Sequence, residues 1–134
     1  DVIDASTGDV VEKIRDLTDG GVDYSFEAIG KKETAEQAFA MLTAGGAATI
    51  IGMIPQGTKI ELDGPSFLRE RKIQGSSMGS NRFRVDMPRY IEFYLQGRLK
   101  LDQMVSQRMD LGQINEAFED MNQGNVARTV INFG

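Results

Sequence analysis

"GVDYSFEAIG", residues 21–30, is the stretch whose reading decides the fold. A glycine turn leads into Val22 to Ile29, which reads as a strand, and Gly30 breaks it. A helical pattern follows at once over Glu33 to Thr43, with Ala35, Ala38, Phe39 and Leu42 on one face, and Gly45 and Gly46 close it. Ala47 to Ile54 is then apolar almost throughout. An unbroken apolar run of that length fits a strand covered on both faces, as in a parallel sheet.

Outward from this core the alternation continues. Upstream, Val10, Ile14 and Leu17 recur at helical spacing. Ser6 or Thr7 is the expected cap, Asp9 completes a loose capping box, and Gly20 and Gly21 stop the helix. Asp1 to Asp4 reads as a short strand or strand end, and its opening without methionine reads as the continuation of something longer. Downstream, Thr58 to Leu62 is an expected edge strand, Pro65 to Arg71 a helical turn, and Lys72 to Met78 another strand. Asp86 and Pro88 open a third long helix. Val105 to Met109 is a short strand, Asp110 with Gln113 forms a capping box for a fourth helix, and Arg128 to Phe133 is the last strand. Strands alternating with helices argue for an α/β protein with a parallel sheet. The regularity fades after about Gly79, which divides the chain into 1–79 and 80–134.

The net charge is −5. Binding to nucleic acid draws on phosphate neutralisation, so that class is set aside. No apolar run approaches the roughly 20 residues that span a bilayer. Cysteine and histidine are both absent. No disulfide can form, which reads as a cytoplasmic setting, and the usual zinc ligands and the commonest general base are missing. Metal or proton chemistry must therefore use carboxylates or lie outside this chain.

Three expected strands taper into small residues: Ile29-Gly30, Ile51-Gly52 and Gly75-Ser76. In open α/β sheets, ligands bind beyond the carboxyl ends of the strands. Bare main chain at three neighbouring ends would form a shelf suited to a flat, amide-bearing ring. Glycine after a strand also serves simply as a turn, and spacing leaves both readings standing. The phosphate fingerprint G-x-G-x-x-G is missing, since Gly45-Gly46 follows a helix.

Taken in order, "GVDYSFEAIG", "GGAATIIGMIP", "KIQGSSMGSNRFRVDMPRYIEFYLQGRLKLDQMVSQRMDL" and "INEAFEDMNQGNVARTVINF" resemble the C-terminal part of the medium-chain, zinc-dependent alcohol dehydrogenases. The resemblance covers essentially the whole chain. It implies a partial Rossmann-type sheet with flanking helices, plus a C-terminal strand-helix-strand segment returning to the catalytic domain. Asp1 to Asp4 would end the third strand of the family's sheet. Val22 to Ile29, Ala47 to Met53 and Lys72 to Ser77 would be the fourth, fifth and sixth.

The same resemblance implies NAD or NADP as cofactor, with zinc bound outside this chain and a small alcohol or aldehyde as the parent enzyme's substrate. Ala28, Ile29 and Gly30 would cover the adenosine-side ribose. Ile51, Gly52 and Met53 would run beneath the nicotinamide ribose. Ser76 and Met78 would hold the carboxamide with their backbone, and Arg128 would approach the pyrophosphate. Met78 departs from the bulky aromatic often found there. The Thr58–Leu62 strand and the sixth strand would form a homo-oligomer edge, and the chain alone would not catalyse. A zinc-free quinone or enoyl-type reductase and a non-catalytic nucleotide- or protein-binding module are the alternatives.

Other groups carry less. Phe26 is expected to face the core. Asp23 and Glu27 share a strand face and read as a solvated strand end. Arg69 to Lys72 reads as a solvated turn, Arg82 and Arg84 as a weak anion site, and the methionines as core filler.

Overall fold

The parity of β1 (Val22–Glu27) organises the first half of the chain. Ser25 and Glu27 are buried while Tyr24 and Phe26 are exposed, so alternate side chains take opposite faces. A computed structural model describes residues 1–134, which form two compact units, Asp1–Asn81 and Arg82–Gly134.

In the first unit, β1 pairs in parallel with β2 (Leu42–Ile50), and β2 with β3 (Lys72–Gly75). Parallel neighbours need a crossover, and α2 (Lys32–Ala40) supplies it between β1 and β2. Ala38, Phe39, Leu42 and Ala48 form the core, with Val22, Leu62 and Ile73 packed around it. The Phe39 ring lies 4.9 Å from that of Phe67. The helix face read from Ala35, Ala38 and Phe39 is therefore the buried one.

Several boundaries differ from expectation. The α2 helix stops at Ala40, because Val22 N–H donates to Met41 O at 2.9 Å and draws the chain into the sheet. Gly45 and Gly46 lie inside β2 instead of closing the helix. Val22 pairs with Leu42 and Tyr24 with Ala47, so β2 bulges between those two positions, where Gly45 takes φ +77. Helix α1 (Val10–Leu17) is capped by Asp9, whose carboxylate accepts from Val11 N–H at 2.8 Å and Glu12 N–H at 3.1 Å. Ser6 and Thr7 are instead tied to Asp4.

Asp1 to Asp4 forms no strand: nothing pairs with it, and Val2 is exposed. Thr58 to Leu62 forms none either. Its backbone is held by α2 side chains, with Glu61 N–H on Glu36 Oε1 at 2.7 Å, while Lys32 Nζ bonds the Glu61 carboxylate at 2.9 Å. Phe26 faces away from the core, because Glu27 takes the inward position beside it. Tyr24 and Phe26 thus lie on an uncovered sheet face, 72% and 68% exposed.

In the second unit, α3 (Phe83–Leu95) begins a turn before the expected start. Asp86 closes that start from within by accepting from Arg82 N–H at 2.6 Å, and Pro88 lies inside the helix. A short α4 (Leu101–Met104) was not anticipated. Strand β4 (Gln107–Asp110) pairs in parallel with β5 (Thr129–Asn132), connected through α5 (Ile114–Gln123). The Asp110–Gln113 capping box forms as read, around a 3-10 turn that leads into α5. Gly124 ends α5 in the left-handed conformation.

Candidate functional site

The three parallel strands end level with one another. Glu27 pairs with Ile50, and Ile50 with Gly75. The segments beyond them therefore emerge side by side: Ala28-Ile29-Gly30, Ile51-Gly52-Met53 and Ser76-Ser77-Met78. Main-chain bonds join them. Ile51 N–H and Gly52 N–H both donate to Glu27 O, at 2.7 and 3.0 Å, and Ser76 N–H donates to Ile50 O at 2.9 Å. Eight of the nine expected cofactor positions are thus gathered at one end of one sheet. The ninth, Arg128, belongs to the second unit, where its carbonyl accepts from Ser106 N–H at 3.0 Å and its guanidinium makes no ion pair.

The glycines here are demanded by space. A Cβ on Gly52 would stand 2.1 Å from Gly30 N, and one on Gly30 would stand 2.6 Å from Met53 O. Gly30 also holds φ +89, which an L side chain rarely adopts. The two loops are in backbone contact, and their side chains point away: Ile29, Ile51 and Met53 are exposed. In the third loop, Met78, Gly79 and Ser80 all take positive φ, so this turn is bent against ordinary sterics. Met78 is 85% exposed, and Asn81 Nδ2 bonds its carbonyl at 2.6 Å.

Sequence reasoning missed the group that organises this end of the sheet. Glu27, read as a solvated strand end, is 4% exposed. Its Oε1 accepts from Gly30 N–H at 2.7 Å, Ile29 N–H at 2.8 Å and Thr34 Oγ1 at 2.8 Å. Its Oε2 is buried without a donor. Burial pushes the carboxyl up, but hydrogen bonds from Gly30, Thr34, Ile29 and Lys31 together outweigh it, so Glu27 lies below its ordinary value and is ionised. The signal was available in parity, since Glu27 stands two residues from Ser25 on the face that α2 covers. Asp23 does not join it; its carboxylate accepts from Thr43 Oγ1 at 3.1 Å.

A separate cavity of about 510 Å3 lies on the α2 side, lined by Arg15, Glu36, Phe39, Glu61, Asp63 and Arg71 among others. None of the expected cofactor positions reaches it. Arg71, read as part of a solvated turn, is buried and makes only long contacts, to Thr43 O and Ser66 Oγ, both at 3.4 Å. No cluster of three or more Asp or Glu gathers where a metal ion could be held. With Cys and His absent as well, the residues of this chain do not fit a zinc site.

A family model described as zinc-binding dehydrogenase matches residues 1–96. Geraniol dehydrogenase of Carpoglyphus lactis is 35% identical over 114 residues, covering 85% of this chain and 30% of that protein. The crystal structure of an alcohol dehydrogenase zinc-binding domain protein from Burkholderia ambifaria is 32% identical and superposes with a TM-score of 0.87, over 98% of this chain and 36% of that one. A protein described as a zinc-binding dehydrogenase from Sinorhizobium meliloti 1021, solved bound to NADP, is 34% identical with a TM-score of 0.75, over 86% and 34%. The chain spans about a third of the length of the curated relatives it matches. On the family match and the level strand ends together, the chain belongs to the zinc-binding dehydrogenases.

Proposed function

We propose that this chain supplies the cofactor floor of a zinc-dependent, NAD(P)-linked alcohol dehydrogenase, acting as one portion of a longer polypeptide. The observation that carries the reading is the level ending of three parallel strands, which sets Ala28–Gly30, Ile51–Met53 and Ser76–Met78 side by side at one end of the sheet. Loops gathered at the carboxyl ends of parallel strands form the place where an open α/β sheet takes a dinucleotide. Ala28, Ile29 and Gly30 would line one stretch of it, Ile51, Gly52 and Met53 another, and Ser76 and Met78 would offer backbone groups to the carboxamide. A bound nicotinamide would supply hydride acceptance and donation. The chain's own residues bind and orient, and they bring no acid, base or metal ligand to the reacting carbon.

Residues 1–79 would then be the second half of the cofactor domain, and 80–134 the helix and the segment returning to the catalytic domain. The unpaired outer edge of β3 supports a homo-oligomer joined sheet to sheet. The absence of cysteine supports a cytoplasmic setting.

The test is NADH and NADPH titration of the purified full-length polypeptide, followed by alcohol oxidation with and without a zinc chelator. The expected result is a dissociation constant at or below about 1 mM for one cofactor, with turnover lost on chelation. Binding of neither nucleotide would overturn the reading, and turnover that survives chelation would move the protein to the zinc-free reductases.

A further inference from the structure

The carboxylate of Glu27 touches both loops of the proposed floor. Through Oε1 it gathers the amides of Ile29 and Gly30 and the Thr34 hydroxyl. Through Oε2 it fills the space where a side chain on residue 52 would go, since a Cβ there would stand 2.5 Å away. The Glu27 carbonyl meanwhile accepts from Ile51 and Gly52. One residue therefore holds the loop after β1 by its side chain and the loop after β2 by its backbone.

Helix α2 needs this contact as well. Its own N-cap, Lys31, has no side-chain hydrogen bond. The preceding strand meets the helix start instead, through the Glu27 carboxylate on the Thr34 hydroxyl at 2.8 Å, and a negative charge there favours the helix dipole. An apolar residue at position 27 would leave Gly30 N–H and Thr34 Oγ1 without this acceptor, and a neutral amide there would keep an acceptor oxygen but lose the charge.

We propose that Glu27 is a positioning residue for the nicotinamide dinucleotide, fixing the spacing of the Ala28–Gly30 and Ile51–Met53 loops on which the cofactor rests. This rests on the cofactor-floor reading. A group that orients two loops under a ligand makes itself felt in cofactor affinity, because a displaced loop presents the same atoms in the wrong place.

The test uses the full-length polypeptide with three variants: E27Q, which keeps the shape and removes the charge, T34V, which removes one donor, and T34S, which restores it. Cofactor KM and kcat are measured beside the unfolding midpoint. E27Q is expected to raise the cofactor KM roughly tenfold, the equivalent of one charge-assisted hydrogen bond, with kcat within a factor of about two. T34V should raise KM in the same direction by a smaller factor, and T34S should restore it. A merely structural role would lower the midpoint and the active fraction and leave KM where it was, and that result overturns the proposal. If E27Q does not fold, the Thr34 pair decides. A wild-type protein that binds neither NADH nor NADPH sinks the floor reading itself. Wild-type binding with unchanged KM in the variants sinks only the role of Glu27.

Discussion

Replacing Gly52 with alanine tests the packing at the sheet end most directly. The new methyl would stand 2.1 Å from Gly30 N, 2.7 Å from Gly30 Cα and 2.5 Å from Glu27 Oε2. Ordinary contact begins near 3.4 Å, so the two loops must separate by about 1 Å or the end of β2 must rotate. Neither partner is the free end of a flexible chain: two of the atoms are backbone, and the third is clamped by the bonds at Oε1. Small-to-large changes in packed sites typically cost about 1–3 kcal/mol, and a clash with backbone belongs at the upper end, near 3 kcal/mol. Gly75 is the control, because it ends the neighbouring strand with nothing within 4 Å of a built Cβ and no positive φ. G75A should change stability by less than about 0.5 kcal/mol. Urea denaturation of both variants, followed by circular dichroism, gives the comparison. Removing the carboxylate should not rescue the variant, since E27A/G52A still meets Gly30 N. Equal midpoints for G52A and G75A would refute the close approach of the loops, and recovery in E27A/G52A would assign the clash to Glu27 alone.

Three further outcomes are expected. D9A removes the acceptor for Val11 N–H and Glu12 N–H and should cost about 1 kcal/mol in a urea titration. Glu27 is held below its ordinary value of 4.5 in the folded chain, so its contribution is present above that pH and is lost as pH falls through the lower folded value. The acid limb of the midpoint-against-pH curve should accordingly flatten in E27Q, and an unchanged limb would count against an ionised Glu27. The bare face at Tyr24 and Phe26 should make the isolated chain self-associate. Size-exclusion chromatography should show oligomers that F26K shifts toward monomer, and a wild-type monomer at high concentration would contradict this.

Most of the sheet was legible because it depends on local pattern. The apolar run at Ala47–Ile51, the helix face at Ala35, Ala38 and Phe39, and the Asp110–Gln113 box each declare themselves within a few residues. What escaped depends on partners far away in sequence. Nothing local tells whether Thr58 to Leu62 will pair with a strand, and here α2 side chains take its backbone. Nor does anything local show that Gly45 and Gly46 belong to a bulge, because the bulge is defined by register against Val22 and Tyr24. Phe26 and Glu27 misled together: hydrophobicity assigned Phe26 to the core and charge assigned Glu27 to solvent, while the parity set by Ser25 placed both the other way.

That reversal explains several features at once. A carboxylate turned inward is costly unless it is well bonded, and the bonds it finds are the amides beyond its own strand and the hydroxyl at the start of α2. To reach them the chain must fold back tightly at residue 30, where φ is +89 and glycine is the residue that fits. With the carboxylate lodged there, the neighbouring strand end has no room for a side chain, which calls for glycine at residue 52 as well. Phe26, displaced outward by the same parity, is left on a face that these residues do not cover. Two of the glycines that mark the strand ends in the sequence, Gly30 and Gly52, thus have a steric cause in the fold, independent of any ligand, and Gly75 has none. The same cause fixes the spacing of the two loops, and a fixed spacing is the property a dinucleotide would use.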